Sequence, residues 1–404
     1  MATPFEPLQI GPIKLKNRII KSATNEGMAP RGVPSKMLVE YHRRVAAGGA
    51  GLSTVAYCAV TPDGRTFPDQ VCLDEQTIPH LRALTDAVHA AGGKACAQIT
   101  HGGSFNFLPR LSTRYPLSSS GGFNPVGLMV WRPFKQGMSP ADLQRMANDF
   151  AKAALKAEQA GFDAVEIHMG HGYLLSQFIS PLYNKRRDQY GGDARGRAQF
   201  PAMVLRRVLD AVGERLAVIC KISVIEGVKK GATAQDSAEV VRVLEQTGAH
   251  LVVLSGGMNV ESPWQIFGSQ LPASVADTVQ NPVMRWGARL TRLFEPKLDF
   301  KPLFLREHSL KIRQAVAMPL AYLGGSKDLA DIDTVLADGF DAVAMGRALL
   351  HEPDLINRYQ QGAATQSGCT SCNECVPTIY HPGGTHCPLL GSNPIELNQQ
   401  AAAN

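Results

Sequence analysis

The 404-residue chain has the composition of a globular protein, with 44% hydrophobic and 19% charged residues, and this length can bury a large core without disulfides. Its formal charge of +6 comes from scattered basic residues, which indicates a solvated surface, or less readily an anionic ligand site, and argues against a nucleic-acid partner. No run approaches the roughly 18 to 20 apolar residues of a membrane span, and the N-terminus has no signal-peptide stretch. We therefore expect a cytoplasmic protein without a membrane partner.

Eight short apolar runs alternate with helical stretches along the chain. They are RIIKSA from Arg18, GLSTVA from Gly51, KACAQI from Lys94, DAVEIH from Asp163, LAVICKIS from Leu216, HLVVLS from His250, PLAYLG from Pro319 and DAVAMG from Asp341. Near-continuous apolarity is typical of strands that are buried on both faces. Because eight parallel strands close a barrel, we predict an α/β fold, a (β/α)8 TIM barrel, over residues 1–360.

The gaps between these runs carry helical patterns. Ser139 to Gly161 begins with Ser-Pro, typical of an N-cap and the first helical position, and ends on glycine. Asp236 to Gly248 and Leu329 to Gly339 are also predicted helices. A doubly wound open sheet is the competing architecture, but no G-x-G-x-x-G turn follows an early strand.

Two gaps, Gly102 to Gly137 and Gly256 to Glu307, are too long for plain helices and largely lack a period. They follow the third and sixth predicted strands. Active sites of barrels are built at the C-terminal ends of the strands, and long loops in compact domains are usually functional. We therefore predict that both gaps form a cap over a substrate pocket.

His168 and His171 stand at the predicted end of the fourth strand, and Tyr173 follows two residues later. Two imidazoles that converge on one point could bind and polarise a carbonyl oxygen, and a tyrosine nearby could deliver a proton to the adjacent carbon. The histidines could instead satisfy buried backbone groups or bind zinc, although the lack of a third ligand weakens the zinc interpretation.

The segment that begins with these residues resembles the old yellow enzyme family of FMN-dependent ene-reductases. In that family H-x-x-[HN]-x-Y precedes [ST]-P-x-x-N-x-R-x-D-x-Y-G-G, and here the second part reads SPLYNKRRDQYGG from Ser180. The resemblance extends over roughly residues 5–358. It implies catalytic roles for His168, His171 and Tyr173, NAD(P)H as reductant, and a small-molecule activated alkene as substrate.

The resemblance also implies where FMN binds. By position, residues at or just after the ends of the first three strands would line the isoalloxazine ring, namely Ser22, Ala23, Thr24, Asn25, Tyr57 and Gln98. The family commonly has threonine or cysteine in place of Asn25. Lys221 takes the position where many relatives have arginine, and it still supplies a positive charge to stabilise the anionic reduced flavin. His101, near Gln98, is interpreted either as a structural histidine or as a pocket residue.

Two glycine-containing loops follow the seventh and eighth predicted strands. They supply Gly324, Gly325 and Ser326 in the first loop and Gly346 and Arg347 in the second. Glycines allow backbone N–H groups to approach a phosphate, and a short helix that follows adds its dipole. The loops alone predict a phosphate-bearing ligand, whereas the resemblance specifies FMN.

The eight cysteines fall into two groups. Cys58, Cys72, Cys96 and Cys220 are dispersed and are interpreted as reduced core residues. The others crowd the segment 361–404, a predicted Cys-rich extension, at Cys369, Cys372, Cys375 and Cys387, and this spacing is typical of a metal site. The 2,4-dienoyl-CoA reductase branch of the family carries iron–sulfur ligands at a similar position, with one interval a residue longer. An iron–sulfur cluster, a structural zinc and no metal all remain open.

These observations lead to three hypotheses. The first is an FMN-dependent NAD(P)H oxidoreductase that reduces the C=C bond of α,β-unsaturated carbonyl or nitro compounds. The second is a flavin dehydrogenase, or a dienoyl-CoA-reductase-like enzyme, that passes electrons through a cluster on the C-terminal cysteines, although we expect no further electron-supplying domain in this chain. The third is a flavin-free lyase or binding protein. The sequence is also compatible with a homo-oligomer.

Overall fold

The computed structural model describes residues 3–278, 285–286, 289, 295–381 and 383–391. Eight parallel strands close a barrel in which each strand pairs with the next along the chain and the eighth pairs with the first. The strands are Ile19–Lys21, Leu52–Ala59, Lys94–Thr100, Ala164–His168, Ala217–Ser223, Leu251–Ser255, Leu320–Tyr322 and Ala342–Met345. Each overlaps one of the eight predicted runs, so the predicted (β/α)8 barrel is confirmed.

Helices surround the barrel and cover the outer face of its strands, which explains why the strands are buried almost throughout. In chain order they are Lys36–Ala47, Ile78–Ala90, Pro140–Gln159, Leu174–Ile179, Ala194–Val212, Ala234–Thr247, Arg306–Arg313, Leu329–Ala337, Arg347–His351 and Leu355–Gln360. The strands and these helices enclose one extended apolar core.

The third of these helices begins where its sequence predicts. The Ser139 hydroxyl accepts a hydrogen bond from the Asp142 N–H, and the Asp142 carboxylate accepts one from the Ser139 N–H at 2.9 Å. This reciprocal pair satisfies two backbone donors that have no partner within the helix. Thr233 caps the helix Ala234–Thr247 in the same way, so that helix starts two residues earlier than the pattern predicted.

A short hairpin precedes the barrel and was not predicted. Its strands, Leu8–Ile10 and Ile13–Leu15, pair antiparallel and bury alternate side chains. Those side chains pack against residues near the N-terminal ends of the barrel strands, including Leu52 and Leu251. The hairpin therefore closes the end of the barrel opposite the C-terminal ends of the strands.

The first predicted cap, Gly102 to Gly137, contains more regular structure than its composition indicates. Leu117–Ser118, Gly122–Phe123 and Phe134–Gly137 form a small three-stranded sheet, which we call the flap sheet. In the second predicted cap, the structure describes the short helices Pro263–Phe267 and Ser274–Asp277. Residues 279–284, 287–288 and 290–294 of that cap lie outside the described residues.

The SPLYNKRRDQYGG segment supports the flap sheet. The Arg186 guanidinium donates to the carbonyl oxygens of Ser119 and Met138, at 3.0 and 2.8 Å, and also pairs with Asp188. The Asn184 amide donates to the Tyr190 carbonyl of its own segment and to the Phe178 carbonyl of the preceding helix. These polar residues thus hold the segment and the flap sheet in place, which gives a structural reason for their spacing.

Within the described ranges, no helix is both long and apolar enough to cross a bilayer. Cys58, Cys72, Cys96 and Cys220 are buried free thiols, as the sequence predicted.

Candidate active site

Two adjoining cavities open at the C-terminal ends of the barrel strands, the end at which barrel enzymes build their active sites. The wide cavity has a volume of about 320 Å³ and the narrow cavity about 130 Å³. Both are lined by Ala23, Thr24, His171, Lys221, Gly346 and Arg347. The wide cavity adds Asn25, Tyr57, Gln98, His168 and Tyr173, and the narrow cavity adds Ser22, Gly324, Gly325 and Ser326. The structure therefore brings all the predicted catalytic and flavin-binding residues together.

The two histidines and the tyrosine form one buried cluster at the end of the fourth strand. The His168 ring lies 4.9 Å from the His171 ring and 4.7 Å from the Tyr173 ring, centroid to centroid. His171 and Gly172 have positive φ angles of 61° and 84°. Glycine adopts this left-handed conformation without a Cβ penalty, so the chain turns over the barrel rim and places Tyr173 beside the histidines.

Hydrogen bonds and burial determine which nitrogens of the two imidazoles carry protons and whether the rings are charged. The Gly170 N–H donates to His168 Nδ1 at 3.2 Å, so a neutral His168 carries its proton on Nε2. His171 Nε2 lies 2.8 Å from the Ser255 hydroxyl. Burial, with the Lys221 cation nearby, lowers the pKa of both histidines well below the usual range. Both are thus neutral hydrogen-bonding groups at neutral pH.

Aromatic side chains form the wall around Tyr173. The Tyr173 ring lies 5.3 Å from the Tyr57 ring and 5.8 Å from the Phe105 ring. Phe105 in turn contacts Phe67 and Phe107, whose rings stack on each other at 5.1 Å. Phe67 and Phe105 were not among the predicted site residues. They add apolar surface to the lining of the wide cavity.

Buried charges lie around the cavities, and sequence reasoning identified only one of them, Lys221. The Lys221 ammonium donates to the Ser22 hydroxyl at 3.2 Å and the Ala23 carbonyl at 3.4 Å. Lys21, which is fully buried, forms a short ion pair with Glu26. The Glu26 carboxylate also accepts from the Thr24 hydroxyl and the Ala56 N–H. This pair therefore ties the loop that follows the first strand to the second strand.

The narrow cavity fits a phosphate group. The Ser326 hydroxyl is buried and has no hydrogen-bond partner among the described residues. Because buried polar groups in proteins are almost always hydrogen-bonded, this hydroxyl indicates that a bound ligand supplies its partner. Gly325, beside it, has a φ of 86°, a conformation that side chains rarely adopt. Arg347 and Lys221 supply positive charge to the same cavity. The wide and narrow cavities together therefore match a ligand with a flat ring at one end and a phosphate at the other, as FMN has.

The C-terminal segment packs directly on the loop that follows the first strand. The Thr385 hydroxyl donates to the Asn25 carbonyl and the Thr385 N–H to the Glu26 carbonyl, both at 2.7 Å. A Cβ on Gly27 would lie 2.3 Å from the Ile379 carbonyl oxygen, so only glycine permits this approach. As a result Cys375, Val376 and Thr385 join the lining of the wide cavity, which sequence analysis did not anticipate.

The four C-terminal cysteines line a third, small cavity of about 20 Å³, next to Arg347. All four are free thiols, and His351 Nδ1 lies 3.2 Å from the sulfur of Cys387. Their donor chemistry suits a soft metal. Among the residues that the structure describes, however, no three histidine, cysteine, aspartate or glutamate side chains are arranged to hold a metal ion.

His101 has the surroundings of a structural histidine. The Gly103 N–H donates to His101 Nδ1 at 3.0 Å, and the ring lies against Gly64. Burial lowers the pKa of His101 to about 4. The imidazole is thus neutral and satisfied by local backbone.

The chain matches the model of the NADH:flavin oxidoreductase / NADH oxidase family over residues 4–266. It is 41% identical to 4,4'-dithiodibutanoate disulfide reductase of Rhodococcus erythropolis over 387 residues, which cover 95% of this chain and 94% of that protein. It is 25% identical to the multifunctional alkene reductase/demethylase OYE of Caballeronia cordobensis, covering 94% of this chain and 53% of that protein. The chain spans about half the length of this and three further curated relatives.

Among solved structures, the old yellow enzyme homologue from Zymomonas mobilis superposes with a TM-score of 0.70 at 23% identity. The match covers 96% of this chain and 98% of that one. At this identity the likeness concerns the fold, and it agrees with the closed barrel described above.

Proposed function

Because the chain belongs to the NADH:flavin oxidoreductase / NADH oxidase family and is thus an FMN-dependent oxidoreductase, we propose that it reduces the C=C bond of α,β-unsaturated carbonyl or nitro compounds. The observation that supports this reaction is the cluster of His168, His171 and Tyr173 on the wall of the wide cavity. Reduction of such a bond needs one group to polarise the conjugated oxygen and another to protonate the neighbouring carbon.

Residues of both cavities would hold FMN. Gln98 and Lys221 would face its polar ring edge, and the loops of Gly324 to Ser326 and Gly346 to Arg347 would hold its phosphate. When bound, FMN would supply the hydride-transfer chemistry that links the reduced nicotinamide to the β-carbon of the alkene. The protein contributes position, charge and protons to that chemistry.

In the proposed reaction, His168 and His171 bind the carbonyl or nitro oxygen of the substrate. Each neutral imidazole has one N–H to donate. The proton of His168 is fixed on Nε2 by the Gly170 N–H at the other nitrogen, and in the proposed tautomer His171 Nε2 accepts from the Ser255 hydroxyl, so that Nδ1 carries the proton for the substrate. Hydrogen bonds aimed at an oxygen where negative charge develops stabilise the transition state. Tyr173 Oη then supplies the proton for the α-carbon. Because the nicotinamide and the alkene need the same cavity, they bind in turn, and ping-pong kinetics are expected.

The test begins with the visible spectrum of the purified protein before and after FMN is added. A panel of enones, maleimides and nitroalkenes is then offered anaerobically with NADH or NADPH. We expect a flavin spectrum and oxidation of the reduced nicotinamide that depends on the alkene, and we expect His168→Ala to lose most of that turnover. A protein that binds no flavin, or that reduces no member of the panel, would contradict the proposal.

Organic disulfides are a second candidate substrate class. The relative that is 41% identical is named for the reduction of 4,4'-dithiodibutanoate, and Cys375 borders the wide cavity of this chain. Two electrons and two protons convert a disulfide into two thiols, so the same reductant suffices. Adding 4,4'-dithiodibutanoate to the panel separates the two candidate substrate classes. A protein that reduces the disulfide but none of the alkenes would favour the disulfide class.

We further propose Cys369, Cys372, Cys375 and Cys387 as a metal site for an iron–sulfur cluster or zinc. Their convergence on one cavity beside Arg347 supports this proposal, although the thiols would have to reorient to bind a single metal centre. Metal analysis of anaerobically purified protein, with Cys372→Ser as the comparison, tests it. Iron with a cluster absorption band would favour the flavin dehydrogenase alternative, zinc a structural role, and the absence of both metals would reject the site.

A further inference from the structure

Glu166 is a buried carboxylate in the barrel interior that the proposed reaction does not use. It precedes His168 by two residues on the fourth strand, so the two side chains point the same way and Glu166 lies one layer deeper. Its relative exposure is 2%. In register it pairs with Gln98 on the third strand and with Ile219 on the fifth. Burying a carboxylate is unfavourable unless it is paired, so its partners indicate its role.

The first partner is Gln98, whose Nε2 donates to Glu166 Oε1 at 2.6 Å. An ionised carboxylate can only accept hydrogen bonds, so the nitrogen of the Gln98 amide has to face it. The amide oxygen is then left for the wide cavity, which Gln98 lines. Glu166 therefore orients the Gln98 amide so that its oxygen, a hydrogen-bond acceptor, faces the cavity.

The second partner is a positive charge. Burial raises the pKa of Glu166, and Lys221, the Gln98 hydrogen bond and Lys21 oppose that rise. Burial lowers the pKa of Lys221, and Glu166 is the largest influence that raises it again, with Lys21 lowering it and Glu26 raising it. Lys221 pairs in register with His168, so it lies in the cavity layer directly above Glu166.

We infer that Glu166 is a positioning residue of the flavin site: it fixes the Gln98 amide with its oxygen toward the cavity, and its negative charge offsets part of the positive charge that Lys221 presents to bound flavin. This inference rests on the proposed function in that it takes FMN to bind in the two cavities. Reduced FMN carries more negative charge on its ring than oxidised FMN. A carboxylate one layer below Lys221 lowers the positive potential at the flavin ring and therefore limits how strongly the site prefers the reduced form.

The test compares the affinities of the apoprotein for oxidised and reduced FMN, the latter measured anaerobically. Glu166→Gln removes the charge and keeps a group that can accept from Gln98. We expect the preference for reduced over oxidised FMN to rise about tenfold or more, which corresponds to about 30 mV in midpoint potential for a two-electron couple. An unchanged or smaller preference would overturn the inference.

Two further variants keep the inference testable if Glu166→Gln does not fold. Glu166→Asp keeps the charge, but its shorter side chain no longer reaches Gln98. It should therefore lower the affinity for both oxidised and reduced FMN about tenfold and leave the ratio of the two affinities within about threefold of wild type. Wild-type affinity for both forms in Glu166→Asp would also overturn the inference. Glu226→Gln, the matched control, removes a buried carboxylate that is bonded to Ser180 and Ala232, and its FMN ratio should not change. A wild-type protein that binds no FMN would reject the proposed function instead.

Discussion

The buried ion pair between Lys21 and Glu26 makes the most demanding prediction about stability. Lys21 is 0% exposed and Glu26 is 2% exposed, so Glu26→Leu would leave an ammonium group in the core with the Thr54 carbonyl at 3.1 Å and the Tyr41 ring at 5.1 Å but without a counter-charge in contact. Breaking a buried pair by removing one member costs about 3 to 5 kcal/mol. We expect the free energy of unfolding of the apoprotein to fall by about that amount.

The double variant Lys21→Met/Glu26→Leu distinguishes the cost of an unpaired buried charge from the cost of altered packing. Replacing both members by apolar residues removes the unpaired charge, and a buried pair replaced in this way is often neutral in stability. The Thr24 hydroxyl and the Ala56 N–H still lose their acceptor, which costs about 1 to 3 kcal/mol. The double variant should therefore be more stable than Glu26→Leu alone, although it has lost more native contacts.

Urea unfolding followed by circular dichroism, on wild type, Glu26→Leu and the double variant, measures these differences. A loss below about 1 kcal/mol for Glu26→Leu would refute the account of the pair, since a residual cost that small is typical of exposed ion pairs. A double variant as unstable as the single one would refute it as well, because the unpaired charge would then not be the cause.

Three further predictions follow from the site and its supports. Burial lowers the pKa of six histidines, of which His42, His101, His168 and His171 are fully buried. Below about pH 6.5 the unfolded chain therefore takes up protons that the folded chain does not. The free energy of unfolding in urea should fall there as the pH falls, by up to about 1.4 kcal/mol per pH unit for each fully buried histidine, with little change from these groups above pH 7. Ser255→Ala removes the partner of His171 Nε2 and should raise the KM for the alkene several-fold while reduction of the flavin by nicotinamide keeps its rate; an equal loss in both half-reactions would argue against a substrate-binding role of His171. Arg186→Met should remove the hydrogen bonds to the Ser119 and Met138 carbonyls that anchor the flap sheet and expose the sheet to limited proteolysis, and protection equal to wild type would contradict that anchor.

The barrel was predictable because its strands are buried on both faces and therefore form continuous apolar runs in the sequence. The N-terminal hairpin was missed because its strands have three residues each, too few to establish an alternation. The flap sheet has equally short strands, and its Gly-rich and Pro-rich composition favours loops. Its position is set by Arg186 from a distant segment, a contact that no local pattern encodes.

Within the site, the residues at strand ends were predictable because topology alone brings strand ends to one rim. Glu166 was hidden inside an apolar run, where its hydrogen bond to Gln98 is visible only once the third and fourth strands are paired. The approach of Thr385 to Asn25 joins positions 360 residues apart in the chain. Spacing within the C-terminal segment indicated a possible ligand set but carried no information about that contact.

The most direct test of the account is the rate of each half-reaction in Tyr173→Phe, measured anaerobically by stopped-flow absorbance of the flavin. A positioned general acid contributes about 10² to 10⁴ in rate. We predict that reduction by the nicotinamide stays within about threefold of wild type, while reoxidation by 2-cyclohexenone slows at least about 100-fold. The matched control, Tyr183→Phe, changes a tyrosine that pairs with Glu261, and reoxidation should be near the wild-type rate. Reoxidation of Tyr173→Phe as fast as wild type would contradict the assignment of Tyr173 as the proton donor.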